Sequence, residues 1–240
     1  QWPIKGDYDL NDLVVLFRVT SITNSSNQIT KLHFDYNLIA AVAIKQLSAG
    51  FQLDNVMASN IKSVTGQLLG GGTPFATEIS GVETGVAKAI IPLFNGTKAV
   101  VSYSGFLNTV PGEYTSTPEK RVTVEFNSPV NQSEITMGSF NFFIVADTRG
   151  KEIHTPGYLA TEKFNSTFVS GGSLHPSDNF KTADGMMWGL MFPEGFSYPS
   201  EKNSIIDAYT HFAAWATSGG NQYPDWYLDK PGYRDQELIY

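Results

Sequence analysis

The chain has 240 residues, 41% apolar and 13% aromatic, with 16 basic against 23 acidic residues for a formal charge of −7. That much apolar material excludes wholesale disorder, and scattered Lys and Arg on an acidic background exclude general nucleic-acid binding, which needs clustered cations against phosphate. There is no cysteine, which removes disulfides, thiolate catalysis and thiolate zinc sites.

The chain opens on Gln1 rather than Met, and its first residues lack a signal-peptide pattern. This predicts a processed product or a cut piece, with any export signal, lipid anchor or upstream domain lying before Gln1. An acidic loop follows at residues 6–12. Residues 13–20 are β-branched and aromatic and read as a buried strand, closed by the polar turn at 21–27. The clearest strand comes next: Leu32, Phe34, Tyr36, Leu38, Ala40, Val42 and Ile44 alternate with polar residues, so one face packs inward. Residues 51–56, 61–65, 75–79, 87–93 and 98–103 are short strand candidates separated by Gly, Asn and Ser, as in sandwiches. Gly70-Gly71-Gly72 reads as a flexible turn. Residues 121–126 alternate cleanly, and 135–146 carry a long apolar run suited to a central strand.

After Asp147 the chain turns rich in Gly, Pro and aromatic residues, including Pro156-Gly157, Gly171-Gly172 and His175-Pro176, which predicts long covering loops. One helix is expected over residues 201–216, capped by Ser200, with Ile205, Tyr209, Phe212, Ala213 and Ala216 on one face and Gly219-Gly220 as its stop. No run approaches the roughly 18 apolar residues of a membrane-spanning helix. The expected architecture is mainly β: a single domain over 1–240 with a β-sandwich or jelly-roll-like scaffold at 13–147, then a loop-rich segment with one C-terminal helix at 148–240.

Asp7-Tyr8-Asp9-Leu10-Asn11-Asp12 concentrates four oxygen-bearing side chains directly before the first strand. Calcium takes six to eight oxygen ligands, and a D-x-D-x-N loop can curl so that alternate side chains converge on one ion. The EF-hand pattern fails, because the positions that should hold Gly and Glu hold Asp12 and Arg18. Asp7, Asp9, Asn11 and Asp12 are therefore the candidate ligands of a different Ca²⁺ loop. The alternative is an acidic turn in which these side chains only satisfy backbone donors.

The same residues carry a resemblance. Trp2-Pro3 followed by residues 6–15, GDYDLNDLVV, resembles the opening of LruC-type domains, which occur in exported lipoproteins and surface proteins of Bacteroidetes, Leptospira and other bacteria. Three further segments are similar to that family: residues 150–158 (GKEIHTPGY), Trp188-Gly189-Leu190 with Phe192-Pro193-Glu194, and Tyr198-Pro199-Ser200-Glu201 through Phe212, Trp215 and Asp225-Trp226-Tyr227. The resemblance implies an exported protein at the cell surface, outer membrane or periplasm, a β-rich fold and no established enzymatic activity. Family members commonly carry an acidic pair before the W-P, which this chain does not include.

Other constellations are weaker. His33, His154, His175 and His211 lie far apart with no metal-ligand spacing, and His154, alternating with Glu152, reads best as a hydrogen-bonded structural residue. Nucleophile-elbow and phosphate-loop motifs are absent from the sequence. Glu83, Glu113, Glu125, Asp147, Glu152, Asp184 and Glu194 could in principle supply a glycosidase pair, as in any acidic protein. Trp226 and Tyr227 could stack on sugar rings, although core packing explains aromatic residues of this region more simply. These observations lead to a non-enzymatic, calcium-stabilised module for adhesion, assembly or ligand binding, with a surface glycan or protein as partner. A carbohydrate-binding module is the alternative, and a glycoside hydrolase stands behind it.

Overall fold

Among the described residues ten strands, β1 (Leu13–Thr23), β2 (Ile29–Ala41), β3 (Leu47–Met57), β4 (Ile61–Thr65), β5 (Lys88–Phe94), β6 (Lys120–Val130), β7 (Phe140–Ala146), β8 (Glu152–His154), β9 (Leu174–His175) and β10 (Asp178–Thr182), form antiparallel sheets. The structure is a computed structural model that describes residues 2–42, 45–70, 73–169, 174–175 and 177–240; Ile44, Gly71, Gly72, Gly171, Gly172 and Pro176 lie outside them. One sheet has the order β1-β2-β6-β4 and the other β5-β3-β7-β8, with β9 and β10 as a separate ribbon. Leu32, Phe34 and Tyr36 of β2 and Val122 and Val124 of β6 share one core with Phe51 and Leu53 of β3, Ile91 of β5 and Phe140 of β7. Close ring pairs, such as Phe34 with Phe51 at 5.1 Å and Phe17 with Phe142 at 4.7 Å, hold the sandwich together.

The second sheet is buried on both faces. Ile90, Phe143 and Val145 point away from the main core and pack beneath Phe75, which explains why β7 reads as a continuous apolar run instead of alternating. The expected scaffold boundary at 147 therefore moves: β8 at 152–154 completes this sheet beside β7. Two expected strands are replaced. Residues 75–79 make only a bridge from Thr77 to Glu83 around a turn at Gly81. There φ is +87° and a Cβ would lie 2.8 Å from that of Val64, so only glycine fits. Residues 98–103 give way to a short helix, α1 (Thr97–Val100), that drops Val100 into the core.

The expected helix over 201–216 is also corrected. It is two short helices, α2 (Ile205–Ala208) and α3 (Phe212–Thr217). Between them Tyr209 is extended, because the carbonyl of Ala208 accepts from Asp235 and the amide of Thr210 donates to Tyr233, so the returning tail takes over bonds a continuous helix would have used. The cap is Ser204, whose hydroxyl accepts from the Ile206 amide at 3.2 Å, and not Ser200. Gly219 and Gly220 do end α3, both with positive φ.

The outer cover of the second sheet is fastened by a buried charge network. The Arg149 guanidinium donates two bonds to Glu83, at 2.5 and 2.8 Å, and one to Glu152, and lies over the rings of Phe75 and Phe143. Glu152, fully buried, also meets His154 Nε2 at 2.9 Å and accepts from the Thr161 amide at 3.0 Å. The other ring nitrogen of His154 lies 2.6 Å from Asn141 Oδ1, whose orientation is fixed because Asn141 Nδ2 donates to the Leu159 carbonyl. Both imidazole nitrogens thus face oxygen atoms that can accept. The two carboxylates share the Arg149 guanidinium between them. Burial alone would raise the Glu152 carboxyl, but the hydrogen bond from His154 and the Arg149 charge hold it down at about 2, against an ordinary 4.5.

A depressed carboxyl contributes stability that is fully present above its unfolded value and is lost as pH falls through its folded value. Replacing Glu152→Gln should cost about 3 kcal/mol at pH 7, the scale of breaking a buried pair. The gap to wild type should then close as pH falls from 4.5 toward 2. Urea unfolding between pH 7 and pH 2.5 checks this; a gap that does not change with pH would reject the assignment.

Candidate metal centre

The acidic loop is shaped by its backbone. Gly6, Tyr8 and Leu10 alternate in the left-handed region, with φ of 63°, 62° and 55°, and Asp7, Asp9 and Asn11 each follow one of them. Two non-glycine residues held there cost on the order of 1–3 kcal/mol each and need external restraint. Tyr8 supplies it: its buried hydroxyl donates to the Met187 carbonyl at 2.7 Å and accepts from the Met187 amide at 2.8 Å, and its own carbonyl accepts from the Ile205 amide at 2.9 Å.

The loop meets the segment that leads into α2. Lys202 donates its backbone amide to Asp9 Oδ2 at 3.2 Å, across 193 residues of sequence, and Asn11 Nδ2 donates to the Pro199 carbonyl at 3.0 Å. This contact brings Glu201 to the loop, and one carboxylate oxygen from each of Asp7, Asp9 and Glu201 lies within 4.8 Å of the others. Asp9 is buried, and Asp7 is exposed. Glu201 Oε2 is sealed from solvent without a donor, as is Asn11 Oδ1. Asp12 is not in this group of three. With Asp9 it lines a separate cavity of about 60 Å³ that also touches Lys5, Tyr8 and Trp188.

Electrostatics set this cluster apart from the Arg149 network. Among the described residues no Lys, Arg or His side chain forms an ion pair with Asp9, Asp12 or Glu201. Burial, and then the charge of Asp7, pushes the Asp9 carboxyl up. Burial followed by Asp9 and Asp7 raises Asp12 to about 6, and burial with Asp9, Asp7 and Asp12 raises Glu201. In each case burial is the largest cause and neighbouring carboxylates add to it, with the Lys202 charge offsetting part of the Glu201 shift. An all-oxygen set of carboxylates with an amide oxygen nearby suits a hard divalent cation. Glu201 was not among the ligands expected from the sequence because that residue was placed in the first turn of a helix; the cap observed in the structure is Ser204.

The remaining candidates fall elsewhere. His154 is the buried structural histidine that its spacing suggested, and His33 bonds Thr123 Oγ1 at 3.0 Å on the sheet surface. Glu83 and Glu152 are locked onto Arg149, Glu125 pairs with Lys31 and Lys62, and Asp147 pairs with Lys45. Trp226 is 1% exposed and is surrounded by Phe192, Phe196, Tyr209, Phe212 and Trp215, so it is a core residue and not a sugar platform. Beside it opens a cleft of about 610 Å³, lined among others by Thr155, Lys181, Asp184, Phe192, Trp215 and Tyr227.

Comparison with known proteins agrees with this architecture. The crystal structure of a "putative lipoprotein" from Bacteroides ovatus matches with a TM-score of 0.74 at 18% identity, covering 100% of this chain and 73% of that one. Identity at that level shows a shared fold. Curated proteins give no match. A family model matches residues 27–227, which takes in the whole second sheet, three strands of the first and Glu201, and begins after the acidic loop. The chain belongs to the family described as Domain of unknown function (DUF4842).

Proposed function

We propose that this chain is a non-enzymatic, calcium-stabilised module of an exported or cell-surface protein that serves adhesion, assembly or ligand binding. The observation that carries the ion is the convergence of Asp7, Asp9 and Glu201 within 4.8 Å with no cationic side chain paired to Asp9 or Glu201 among the described residues. Asn11 and Asp12 sit beside the three and would complete or buffer the shell. Calcium is favoured over zinc because no His or Cys approaches, and over magnesium because loop carboxylates and carbonyls suit a large, irregular shell. Bound there, the ion would tie the acidic loop to the segment before α2. The exported setting is supported by the resemblance of four segments to LruC-type domains and by the shared fold with the Bacteroides ovatus protein.

A ligand held only by the folded form stabilises it by RT ln(1 + [L]/Kd), about 2.7 kcal/mol at a hundredfold excess over Kd. Calcium at that excess should raise the melting temperature over that in EDTA, and titration calorimetry should find one site. Coincident melts with and without calcium would overturn the reading. The Glu201→Gln variant separates a ligand from a surface charge: it should lose most of the calcium increment, yet melt no lower than wild type in EDTA, because it removes an uncompensated charge.

The cleft supports a second reading, carbohydrate binding, with the aromatic platform moved from Trp226 to Trp215 and Tyr227. Trp215 is half-buried and lines the cleft together with Tyr227. Titration with a panel of neutral oligosaccharides should show binding lost in Trp215→Ala and kept in Tyr223→Ala, which lies outside the cleft lining; silence across the panel would retire this reading.

A further inference from the structure

Tyr8 stands in sequence between two of the three converging carboxylates, and its side chain leaves them for the C-terminal core. It is 2% exposed. There it touches both walls of the cleft of about 610 Å³. One wall is the hairpin that runs from β10 to Met187 and lines the cleft with Lys181, Asp184, Gly185 and Met187. Its two arms are joined by a bridge from Lys181 to Met187 and by the Thr182 amide, which donates to the Met186 carbonyl at 2.6 Å. At Met187 a single atom, the Tyr8 hydroxyl, takes both backbone polar groups, donating to the carbonyl at 2.7 Å and accepting from the amide at 2.8 Å. The other wall is α3, which lines the cleft with Trp215 and Ala216. The Tyr8 ring packs on Phe212 of α3 with centroids 6.0 Å apart, and the Tyr8 carbonyl accepts from Ile205 at the start of α2. The walls meet at Gly185, whose φ is +91° and where a Cβ would lie 2.8 Å from the Ala216 carbonyl oxygen.

The main chain gives an ion a lever on these contacts. Tyr8 is held at φ 62° in the left-handed region, which a non-glycine residue keeps only under restraint from its surroundings. Met187, Phe212 and Ile205 supply that restraint on the cleft side. On the other side its neighbours Asp7 and Asp9 converge with Glu201 within 4.8 Å, a separation at which carboxylates repel unless a cation joins them. Asn11, fully buried, leaves Oδ1 without a donor among the described residues, and Glu201 leaves Oε2 likewise. Both atoms can only accept, so neither can satisfy the other, whereas a cation serves a set of acceptors.

We infer that calcium held by Asp7, Asp9 and Glu201 orders the cleft, with Tyr8 as the relay. This rests on the ion reading given above and extends it from stability to the regulation of a second site. Two states are involved. With the ion bound, the loop stays docked, Tyr8 bonds Met187, and both walls are set. Without it, the repelling carboxylates free the loop, and the hairpin that carries Lys181 and Asp184 loses its anchor at Met187. A ligand that needs both walls then binds the calcium-loaded chain more tightly, and by linkage it raises the affinity for calcium by the same factor.

Hydrogen–deuterium exchange of the full chain, in calcium and in EDTA, tests this with calcium alone as the probe, while titration calorimetry reads ion binding separately. Saturating calcium should slow exchange in residues 181–191 and 212–217 by about tenfold or more, the mark of a suppressed local opening. Residues 31–36 of β2 and 121–126 of β6 should keep their rates. Tyr8→Phe retains the ring and the backbone but not the hydroxyl. It should still bind one calcium, keep the slowing at 212–217, which the ring and carbonyl reach, and lose most of it at 181–191. Slowing at 181–191 that survives Tyr8→Phe overturns the relay. Equal slowing along the whole chain, β2 and β6 included, marks global stabilisation and also overturns the inference. Calcium binding with unchanged exchange at 181–191 and 212–217 rejects it while the ion reading stands, whereas no calcium binding rejects both. The wild-type comparison decides whether the ion orders the cleft even where Tyr8→Phe does not fold.

Discussion

The Arg149 guanidinium is the contact on which the rest of the architecture leans. A sheet buried on both faces cannot be left to loops that drift, and Arg149 fixes the outer cover by binding Glu83 from the turn region, Glu152 from β8 and the rings of Phe75 and Phe143 together. Desolvating such charges is expensive unless each one is matched. Here the matching is internal, because the two carboxylates meet one guanidinium and the polar atoms of His154 and Thr161.

The acidic loop presents the opposite case. Asp9 is also buried and Glu201 Oε2 sealed from solvent, yet among the described residues neither forms an ion pair, and the Lys202 charge offsets only part of the Glu201 shift. One molecule thus buries carboxylates twice, once in ion pairs with an arginine and once with no ion pair among the described residues. That contrast, more than the acidity of the loop, supports reading the second cluster as a place for an ion from solution.

Much of the fold was legible because burial in a sheet leaves a periodic signature: β2 and β6 alternate and were found, and the unbroken run of β7 marked a strand covered on both sides. What escaped depended on partners remote in sequence. The amphipathic pattern of residues 205–216 is the same whether the helix is continuous or broken at Tyr209, and only the tail at 233–235 decides between them. Glu201 escaped for the same reason: no local spacing joins it to Asp9. Residues 75–79 and 98–103 have strand-like composition, but a turn at Gly81 and the short helix at Thr97 settle their conformation. Trp226 could not be sorted into core or surface until its ring neighbours were known.

The segment that presents Glu201 does not hold its own shape. Ser200 donates its amide to the Leu238 carbonyl, Pro199 bridges Ile239, and the amide of Tyr240 bonds the carbonyl of Tyr198, so residues 198–200 are splinted by the chain some forty positions later. Glu201 can therefore be set beside the aspartates only once residues 238–240 have folded against this segment. The geometry of the cluster is thus set by a stretch remote from both of its aspartates, and loosening residues 238–240 would loosen Glu201 with them.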